Sequence, residues 1–587
     1  MATKISPLPS LADIRRLKDL ERERFRAIDA GLIPIKHLPR PCRVRILMLV
    51  DDGISYNQFY FGLSEVLDTL RSNPEWWVNF DITRAHRHND PNPPADPAAA
   101  ALYAPHFENF HFDQAGFDIK AFDEVWFYGF NSGTGAAGSC APINGIPPNA
   151  LTDNELGILY RWMNEQDGGV FATGDHYNLG EALCSRIPRV ASMRKWRVIP
   201  GDALNSPPSN TGPDRHDSLI PGHDFAGTPG LDEAHQYTFD DESDDIPMRL
   251  RLRWYLFHYQ CRPGFKLLNP RWYKLPRVPH PVLCGKAGAI DVFPDHPHEG
   301  EVRVPLSLVD IPSFCGYGFR EYPDHGGAPL SPQIIAWARV RDDHQASDFK
   351  GVVNAKEFGA VGAFDGHCVQ VGRVVVDSTW HHWFDVNLTG RMVLFSDVPG
   401  NVTTGDNRKL SGFNDSAAGQ ATLERIRNYY RNVAIWLAPP KLQRCMACHG
   451  LWGAIHRFPL KADLRADMPV PEIGHHAIEV LKKFAGTCQV QGWWRVFIEP
   501  QRLHKLLDLE RYAVPTEGLL WLDAYLIGGM LQPMLRLREK LPASQQPSDE
   551  ELDKLAAEGV AEGMKALLAD LREGQLSLAM LAEGLAG

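Results

Sequence analysis

The sequence predicts a doubly wound α/β fold with a mostly parallel sheet, because three apolar runs alternate with helical patterns or polar turns. Residues 43–50 (RVRILMLV) form a dense β run, and apolar positions return at helical spacing across 58–70. Residues 122–130 (FDEVWFYGF) and 170–173 (VFAT) supply two further runs. Buried parallel strands are continuous runs of this kind, separated by helices. We therefore expect the three runs to be neighbouring parallel strands with helices on both faces.

The 587 residues exceed what one hydrophobic core usually holds, so several domains are expected. A helix is predicted to begin after Thr152, because Glu155 stands three residues on and completes a capping box. The predicted organisation is an N-terminal helical arm (1–42), an α/β core (43–190 and 351–438), an insertion over the active edge (191–350), a linker (439–468) and an α-helical domain (469–587).

An abrupt strand-to-helix turn at Gly174-Asp175-His176 marks the predicted site. Gly174 permits a tight turn, and Gly180 permits the following helix to approach the sheet closely. In open α/β sheets, ligands bind in the crevice outside the carboxyl ends of the strands. Asp175 and His176 are therefore the first candidates for catalytic residues.

A second strand is predicted to deliver histidines to the same edge. Residues 372–383 read GRVVVDSTWHHW, which places Asp377, His381 and His382 at and just beyond a strand end. We call the strand-to-helix turn at residues 174–176 the elbow. Together with the elbow, this pattern resembles the class I glutamine amidotransferase-like superfamily, closest to its trehalose-utilisation-like (ThuA-like) branch. The resemblance implies a flavodoxin-like sheet in which a histidine of this strand reaches the elbow. A shared fold hosts many chemistries, so it does not by itself identify the reaction.

The elbow departs from the glutaminase pattern. A cysteine-dependent glutaminase has Gly-x-Cys-x-Gly, whereas residues 174–178 here read GDHYN. Cys184 falls on the helix beyond the turn, and Cys140 falls in a glycine-rich loop where an unpaired cysteine is more often incidental. We therefore predict that the chain is not a Cys-dependent glutaminase.

The insertion is rich in Pro, Gly, Asp and His and is predicted to form loops and short strands. Its most polar stretch, 291–301 (DVFPDHPHEGE), contains His296, His298 and Glu299. Two histidines at alternate positions of an extended segment share one face, which suits a divalent metal such as zinc, manganese or iron when another ligand comes from elsewhere. The competing interpretation is a polar turn whose side chains bond to backbone amides.

Residues 445–449 (CMACH) match the haem-attachment pattern of c-type cytochromes. That attachment takes place outside the bacterial cytoplasm, and residues 1–16 contain no apolar signal segment. The alternatives are a structural zinc held by Cys445, Cys448 and either His449 or His456, or ordinary buried thiols. We predict no haem here.

Composition limits the partners. A net charge of −11 and a pI near 6.1 disfavour nucleic acid and anionic membranes, so a small-molecule ligand is expected. The C-terminal helices also suit a homo-oligomer or a protein partner. The ten cysteines are irregularly spaced and are predicted to be reduced thiols in a cytoplasmic protein.

Two functions remain open from the sequence. The first is a hydrolase-type enzyme acting on a small polar, carbohydrate-like substrate through histidine and aspartate, with or without a metal. Its catalytic candidates are Asp175, His176, Asp377, His381 and His382. Adjacent residues of a strand point to opposite faces, so at most one of His381 and His382 is expected in the site. The second function is a non-catalytic module that binds a ligand and a protein partner.

Overall fold

The computed structural model describes most of the chain outside the N-terminal 40 residues and parts of the insertion. The described residues are 41–58, 61–131, 150–175, 179–196, 247–256, 277–294, 301–305, 308, 318–340, 356–389, 413, 417–456, 460–498, 516–542 and 545–586. Residues 1–40 of the predicted N-terminal arm therefore lie outside them, and its last residue, Cys42, begins a strand.

Ten strands in the described ranges form one mixed sheet. They are β1 (Cys42–Val50), β2 (Val78–His86), β3 (Glu124–Tyr128), β4 (Gly169–Thr173), β5 (Arg194–Lys195), β6 (Arg251–Leu252), β7 (Glu301–Val302), β8 (Gln333–Val340), β9 (Lys356–Phe364) and β10 (Val374–Asp377). Their order is β2-β1-β3-β4-β10-β9-β7-β5, and β8 pairs with both β9 and β6.

The first five strands in this order, from β2 through β1, β3 and β4 to β10, all run parallel to one another. The prediction that 43–50, 124–130 and 170–173 are neighbouring parallel strands is confirmed. The parallel pairing of β4 and β10 also puts the residues after both strands on one edge of the sheet, as their direction requires. We call this the carboxyl edge.

The insertion differs from its prediction, because part of it extends the sheet instead of covering its edge. β5, β6, β7 and β8 all come from residues 191–350, and they join the sheet through antiparallel pairs that begin with β9. The apolar residues of β8 (QIIAWARV) are the strongest strand signal within the insertion. The remaining strands there form four two-stranded pairs: 247–249 with 292–294, 254–256 with 277–279, 284–285 with 288–289, and 324–325 with 328–329.

Helices cover both faces of the sheet. They are α1 (Ser64–Arg71), α2 (Pro97–Tyr103), α3 (Asp153–Glu165), α4 (Glu181–Cys184), α5 (Val190–Met193), α6 (Asp385–Thr389), α7 (Ala417–Leu437), α8 (Pro440–Ile455), α9 (Leu460–Asp463), α10 (Val470–Leu481), α11 (Thr487–Gly492), α12 (Thr516–Lys540) and α13 (Asp549–Ala586). Short 3-10 helices span Ile119–Ala121, Pro281–Leu283, Gly366–Val369 and Arg495–Phe497. The predicted capping box of α3 is present, with both the Thr152 and the Glu155 bonds formed. None of the helices in the described ranges is long and apolar enough to cross a membrane.

Alternate residues of the central strands enter two apolar cores, one on each face of the sheet. On β1, Ile46 and Met48 belong to the core beneath α7, whereas Leu47 and Leu49 belong to the core beneath α3. This period of two is the expected pattern of a sheet covered on both sides. The described structure is therefore a mixed, mostly parallel α/β sheet with helices on both sides.

The C-terminal helices continue the α7-side core. A single apolar cluster runs from β1 through α7, α8, α10 and α12 to α13. Residues 439–468, predicted as a linker, are largely helical, because α8 and α9 occupy them. Their apolar residues, including Leu451 and Ile455, are buried against the rest of the core. The residues predicted as a separate helical domain therefore share a core with the sheet.

The prediction of reduced cysteines is wrong for several of them. Cys42 is bonded to Cys445, and Cys284 is bonded to Cys488, across sequence separations of 403 and 204 residues. Pairs so far apart leave no spacing signal, which is why the sequence did not reveal them. Such bonds persist in oxidising compartments and are rare in cytosolic proteins.

Candidate functional site

The elbow after β4 is built by close backbone approach. A Cβ on Gly174 would lie 2.6 Å from the Leu179 carbonyl oxygen, and one on Gly129 would lie 2.6 Å from the Cα of Gly180. Gly180 also has a φ of +88°, which glycine adopts without strain. These glycines let the chain turn directly beneath the carboxyl edge and place Asp175 there.

Asp175 lies beside two groups that follow β10. His381 Nε2 is 3.6 Å from Asp175 Oδ1, and the Thr379 hydroxyl donates to the same oxygen at 3.1 Å. The His381 backbone amide donates to Thr379 Oγ1 at 3.3 Å. Asp175 and His381 are only 3% and 1% exposed, so their interaction takes place away from bulk water. Two residues predicted from separate segments are thus brought together.

Arg194 ties the two strand ends to each other. Its guanidinium donates to the backbone carbonyls of Asp175 and Ser378, each at 2.6 Å. Burial lowers the pKa of Arg194 to about 10, and the nearby Asp175 carboxylate opposes that shift. At neutral pH the guanidinium therefore stays charged and holds the elbow against β10.

His382 belongs to a different cluster. Its Nε2 is 2.8 Å from Asp377 Oδ2, and the same carboxylate accepts from the Trp383 indole at 2.7 Å and from the Tyr429 hydroxyl at 2.6 Å. Phe293 stacks on the His382 ring with centroids 4.0 Å apart. Burial lowers the pKa of His382, and the Asp377 carboxylate opposes that shift. Asp377 and His382 are therefore a buried structural pair, separate from Asp175 and His381.

Four predicted site residues lie outside the described residues: His176, His296, His298 and Glu299. The stretch that leads to three of them begins in a described strand, Val292–Pro294. There, Phe293 contacts His382, and Asp291 forms ion pairs with Arg249 and Arg425. Cys140 also falls outside the described ranges.

Cys184 is unsuited to nucleophilic catalysis. It is fully buried, and burial raises the pKa of its thiol well above the ordinary value. Its sulfur lies 3.6 Å from the Thr173 carbonyl oxygen, as expected of a packed thiol. A reactive cysteine needs a lowered pKa and access to substrate.

The carboxyl edge contains further residues that the sequence interpretation missed. Asp51 directly follows β1 and accepts from the backbone amides of Phe130 at 2.6 Å and Asn131 at 3.2 Å. Phe130 in turn stacks on Trp380, with ring centroids 5.3 Å apart. The rule that selected Asp175, a polar residue just past a parallel strand, also selects Asp51. No comparable signal in the sequence identifies Arg194.

A cavity of about 450 Å³ opens at the opposite edge of the sheet. Asp167 and Arg373, which precede β4 and β10, contribute to its wall with Trp436 and Trp493. Arg373 pairs with Asp365 at 2.7 Å and lies over the Trp436 ring. The cavity and the Asp175–His381 pair thus lie at opposite ends of β4 and β10, which run side by side.

Two clusters in the described ranges have the composition of metal ligands: Cys42, Cys445 and His449, and His111, Asp113 and Glu155. Glu155 is paired with Arg87, whose guanidinium donates to Glu155 Oε2 at 2.8 Å and forms a salt bridge with Glu155 Oε1. Cys445 of the CMACH segment lies on α8 in the bond to Cys42, whereas Cys448 is a buried free thiol. Neither cluster contains a residue predicted as a metal ligand of the elbow site.

No family model, curated protein or solved structure matches this chain. The resemblance to the amidotransferase-like superfamily therefore stays a hypothesis, carried by the elbow and the residues after β10.

Proposed function

We propose that this protein is a hydrolase-type enzyme acting on a small polar substrate at the carboxyl edge, on an amidotransferase-like, flavodoxin-like fold. The observation that carries the proposal is the placement of His381 beside Asp175, 3.6 Å apart at the ends of adjacent parallel strands. A buried imidazole beside a carboxylate is a common general base near neutral pH.

In this proposal His381 takes the proton of an attacking water molecule and then returns it to the leaving group. Asp175 orients the imidazole and stabilises its protonated form, as carboxylates do in catalytic triads. Thr379 holds Asp175 through its hydroxyl, and Arg194 fixes the backbone on both sides. Cys184 has no part in the chemistry, because its thiol is buried with a raised pKa.

The metal-assisted form of this proposal needs more ligands than the described residues supply. His381 and Asp175 would provide two, whereas catalytic zinc sites usually have three protein ligands. The third would come from His176, His296, His298 or Glu299. A bound zinc, manganese or iron ion would activate the water at lower pH. Elemental analysis of the purified protein distinguishes the two forms.

The test is a screen of purified protein against chromogenic esters, amides, glycosides and phosphoesters, followed by His381→Gln on the class that reacts. Losing a general base that works within a catalytic unit should lower kcat/KM by at least about 100-fold. His280→Asn is the matched control, because His280 is a fully buried histidine that lies against Trp436 instead of at the carboxyl edge. Full activity in His381→Gln, or no turnover of any class by the wild type, contradicts the proposal.

A non-catalytic binding protein is the second candidate, favoured by the cavity at the opposite edge. Its walls combine the indoles of Trp436 and Trp493 with polar groups that include Gln443 and Gln489. Leu576 and Met580 are 67% and 72% exposed on α13 and would suit a protein partner or a second copy of the chain. Ligand-induced changes in tryptophan fluorescence without turnover would favour this candidate over the enzyme.

A further inference from the structure

Three distant parts of the chain meet at the Cys42–Cys445 bond. Cys42 begins β1, Cys445 and His449 lie one turn apart on α8, and Asp549 begins α13. His449 Nε2 is 3.9 Å from Cys445 Sγ and 2.8 Å from Asp549 Oδ1. The ligand atoms of Cys42, Cys445 and His449 all lie within 4.8 Å of one another.

Two thiolates, an imidazole and a carboxylate are a tetrahedral zinc set. With Zn–S bonds of about 2.3 Å and Zn–N bonds of about 2.0 Å, ligand atoms in such a site are roughly 3.5–3.8 Å apart. The Cys445 sulfur and the His449 nitrogen already have nearly that spacing. The two sulfurs must separate from a covalent bond to van der Waals distance, and the Asp549 carboxylate, which lies outside the cluster of three, must turn toward the ion.

We propose that reduction of the Cys42–Cys445 bond creates a site for Zn²⁺ or a similar divalent cation, held by Cys42, Cys445, His449 and Asp549. A dithiol reductant supplies two electrons and two protons, becomes a disulfide, and leaves two protein thiols. Zn²⁺ then displaces both thiol protons, while the imidazole proton is carried on Nδ1. The bound ion ties β1 to α8 and α13 when the covalent bond is absent.

The surroundings keep the ligands in place and accessible. Arg444 donates to both carboxylate oxygens of Asp553, at 2.7 and 2.6 Å, and so fastens α13 to α8 independently of the cysteines. The Asp549 side chain is 73% exposed, which gives a cation a route to the site. Among the described residues, the Cys284–Cys488 pair has no such third ligand, so it serves as an internal control.

The test uses full-length protein, oxidised or reduced with a phosphine, which takes oxygen from water and leaves both sulfurs as thiols. Co²⁺ alone is titrated anaerobically, and Zn²⁺ is then added in competition. We expect reduced protein to bind one Co²⁺ with sulfur-to-cobalt charge-transfer and tetrahedral d–d bands, and oxidised protein to show neither. His449→Ala and Cys445→Ser should abolish the bands, whereas Cys488→Ser should keep them. Asp549→Asn should weaken binding about tenfold or more.

A second measurement covers variants that fold poorly. In reduced wild type, Zn²⁺ should protect Cys42 and Cys445 from iodoacetamide, and mass spectrometry should find Cys488 alkylated at an unchanged rate. Absence of the bands from folded reduced protein, their loss in Cys488→Ser, their survival in Cys445→Ser, or equal alkylation with and without Zn²⁺ would each overturn the proposal.

Discussion

At the scale of residues, the two adjacent histidines after β10 have different roles. His381 faces Asp175 at the carboxyl edge, whereas His382 bonds to Asp377 in a cluster that also includes Tyr429. All three donors to Asp377 are buried with it, so they satisfy its oxygens instead of leaving them for a ligand. The structural pair and the candidate catalytic pair therefore respond differently to substitution.

Replacing Tyr429 with Phe should lower stability and spare activity. The change removes a buried hydrogen bond to a carboxylate, which costs about 1–3 kcal/mol of the free energy of unfolding. Tyr103→Phe is the control, because its hydroxyl bonds to Asp68 at the surface. Urea denaturation measures both. An equal small effect for the two variants, or a loss of kcat/KM confined to Tyr429→Phe, would contradict the structural role of the Asp377 cluster.

His280 should make the protein sensitive to acid. Burial lowers its pKa well below the ordinary 6.5, helped by the positive charge of Arg373, so the folded state keeps it neutral. Unfolded chain takes up this proton as pH falls through 6.5, and the free energy of unfolding therefore decreases below that pH by up to about 1.4 kcal/mol per pH unit. Above pH 6.5 the contribution is fully present.

His280→Asn tests this dependence. Asparagine can still accept the bond that the Val282 amide donates to the His280 ring, but it cannot take up the proton. Between pH 6 and pH 5 the variant should lose roughly 1 kcal/mol less stability than the wild type. Parallel pH profiles for the two proteins would show that His280 titrates normally in the fold.

The sequence predicts some residues of the site for a clear reason. Asp175 and His381 follow parallel strands, and strand direction places both at one edge. Arg194 comes from the insertion and acts through backbone carbonyls, so nothing in its neighbourhood indicates its position. The sequence does not predict the cysteine pairs either, because a contact across 403 residues has no local pattern.

At the scale of elements, glycines set how closely the C-terminal helices pack. A Cβ on Gly528 of α12 would lie 1.9 Å from the Val470 carbonyl oxygen, and one on Gly474 of α10 would lie 1.8 Å from that of Ala524. Both contacts are with backbone atoms, which cannot rotate away as a side chain can. The two helices therefore require glycine at their crossing.

Gly528→Ala should destabilise the protein by about 1–3 kcal/mol or more, because the helices must move apart. The control is Gly574→Ala on α13, where a Cβ meets nothing within 4 Å. There, alanine should stabilise the helix by up to about 1 kcal/mol through its higher helical propensity. Thermal unfolding followed by circular dichroism compares the two. A neutral Gly528→Ala would mean that the helices do not cross as described.

Elements with strong local patterns were predictable, and those set by pairing were not. The capping box of α3 follows from local sequence and is confirmed. β5 and β7 have two residues each and are defined by pairing alone, β7 with β9 and β5 with β7. Such short strands have no periodicity to detect.

At the scale of the whole molecule, the shared core predicts one cooperative unit. The cluster that includes Ile46 of β1 also includes Leu526 of α12 and Leu552 of α13. Unfolding should therefore be a single transition, with tryptophan fluorescence and far-ultraviolet circular dichroism giving the same midpoint. Two separated midpoints would instead support a helical domain that folds independently of the sheet.

The predicted division into a core and a separate helical domain followed from composition, since helical periodicity dominates from about residue 469. Periodicity identifies the helices but not what their apolar faces contact. Here those faces join the α7 side of the sheet. The arrangement leaves the carboxyl edge and the cavity at opposite ends of the same strands.

The central claim is that His381 and Asp175 act as one catalytic unit, and a double-mutant cycle tests it most directly. kcat/KM is measured for wild type, His381→Gln, Asp175→Asn and the double variant on the substrate class found by the screen. Members of one catalytic unit are strongly non-additive, so the double variant should be about as impaired as His381→Gln alone. The claim would be contradicted if the double variant lost the product of the two single-variant fold-losses in kcat/KM, or if Asp175→Asn kept the wild-type kcat/KM.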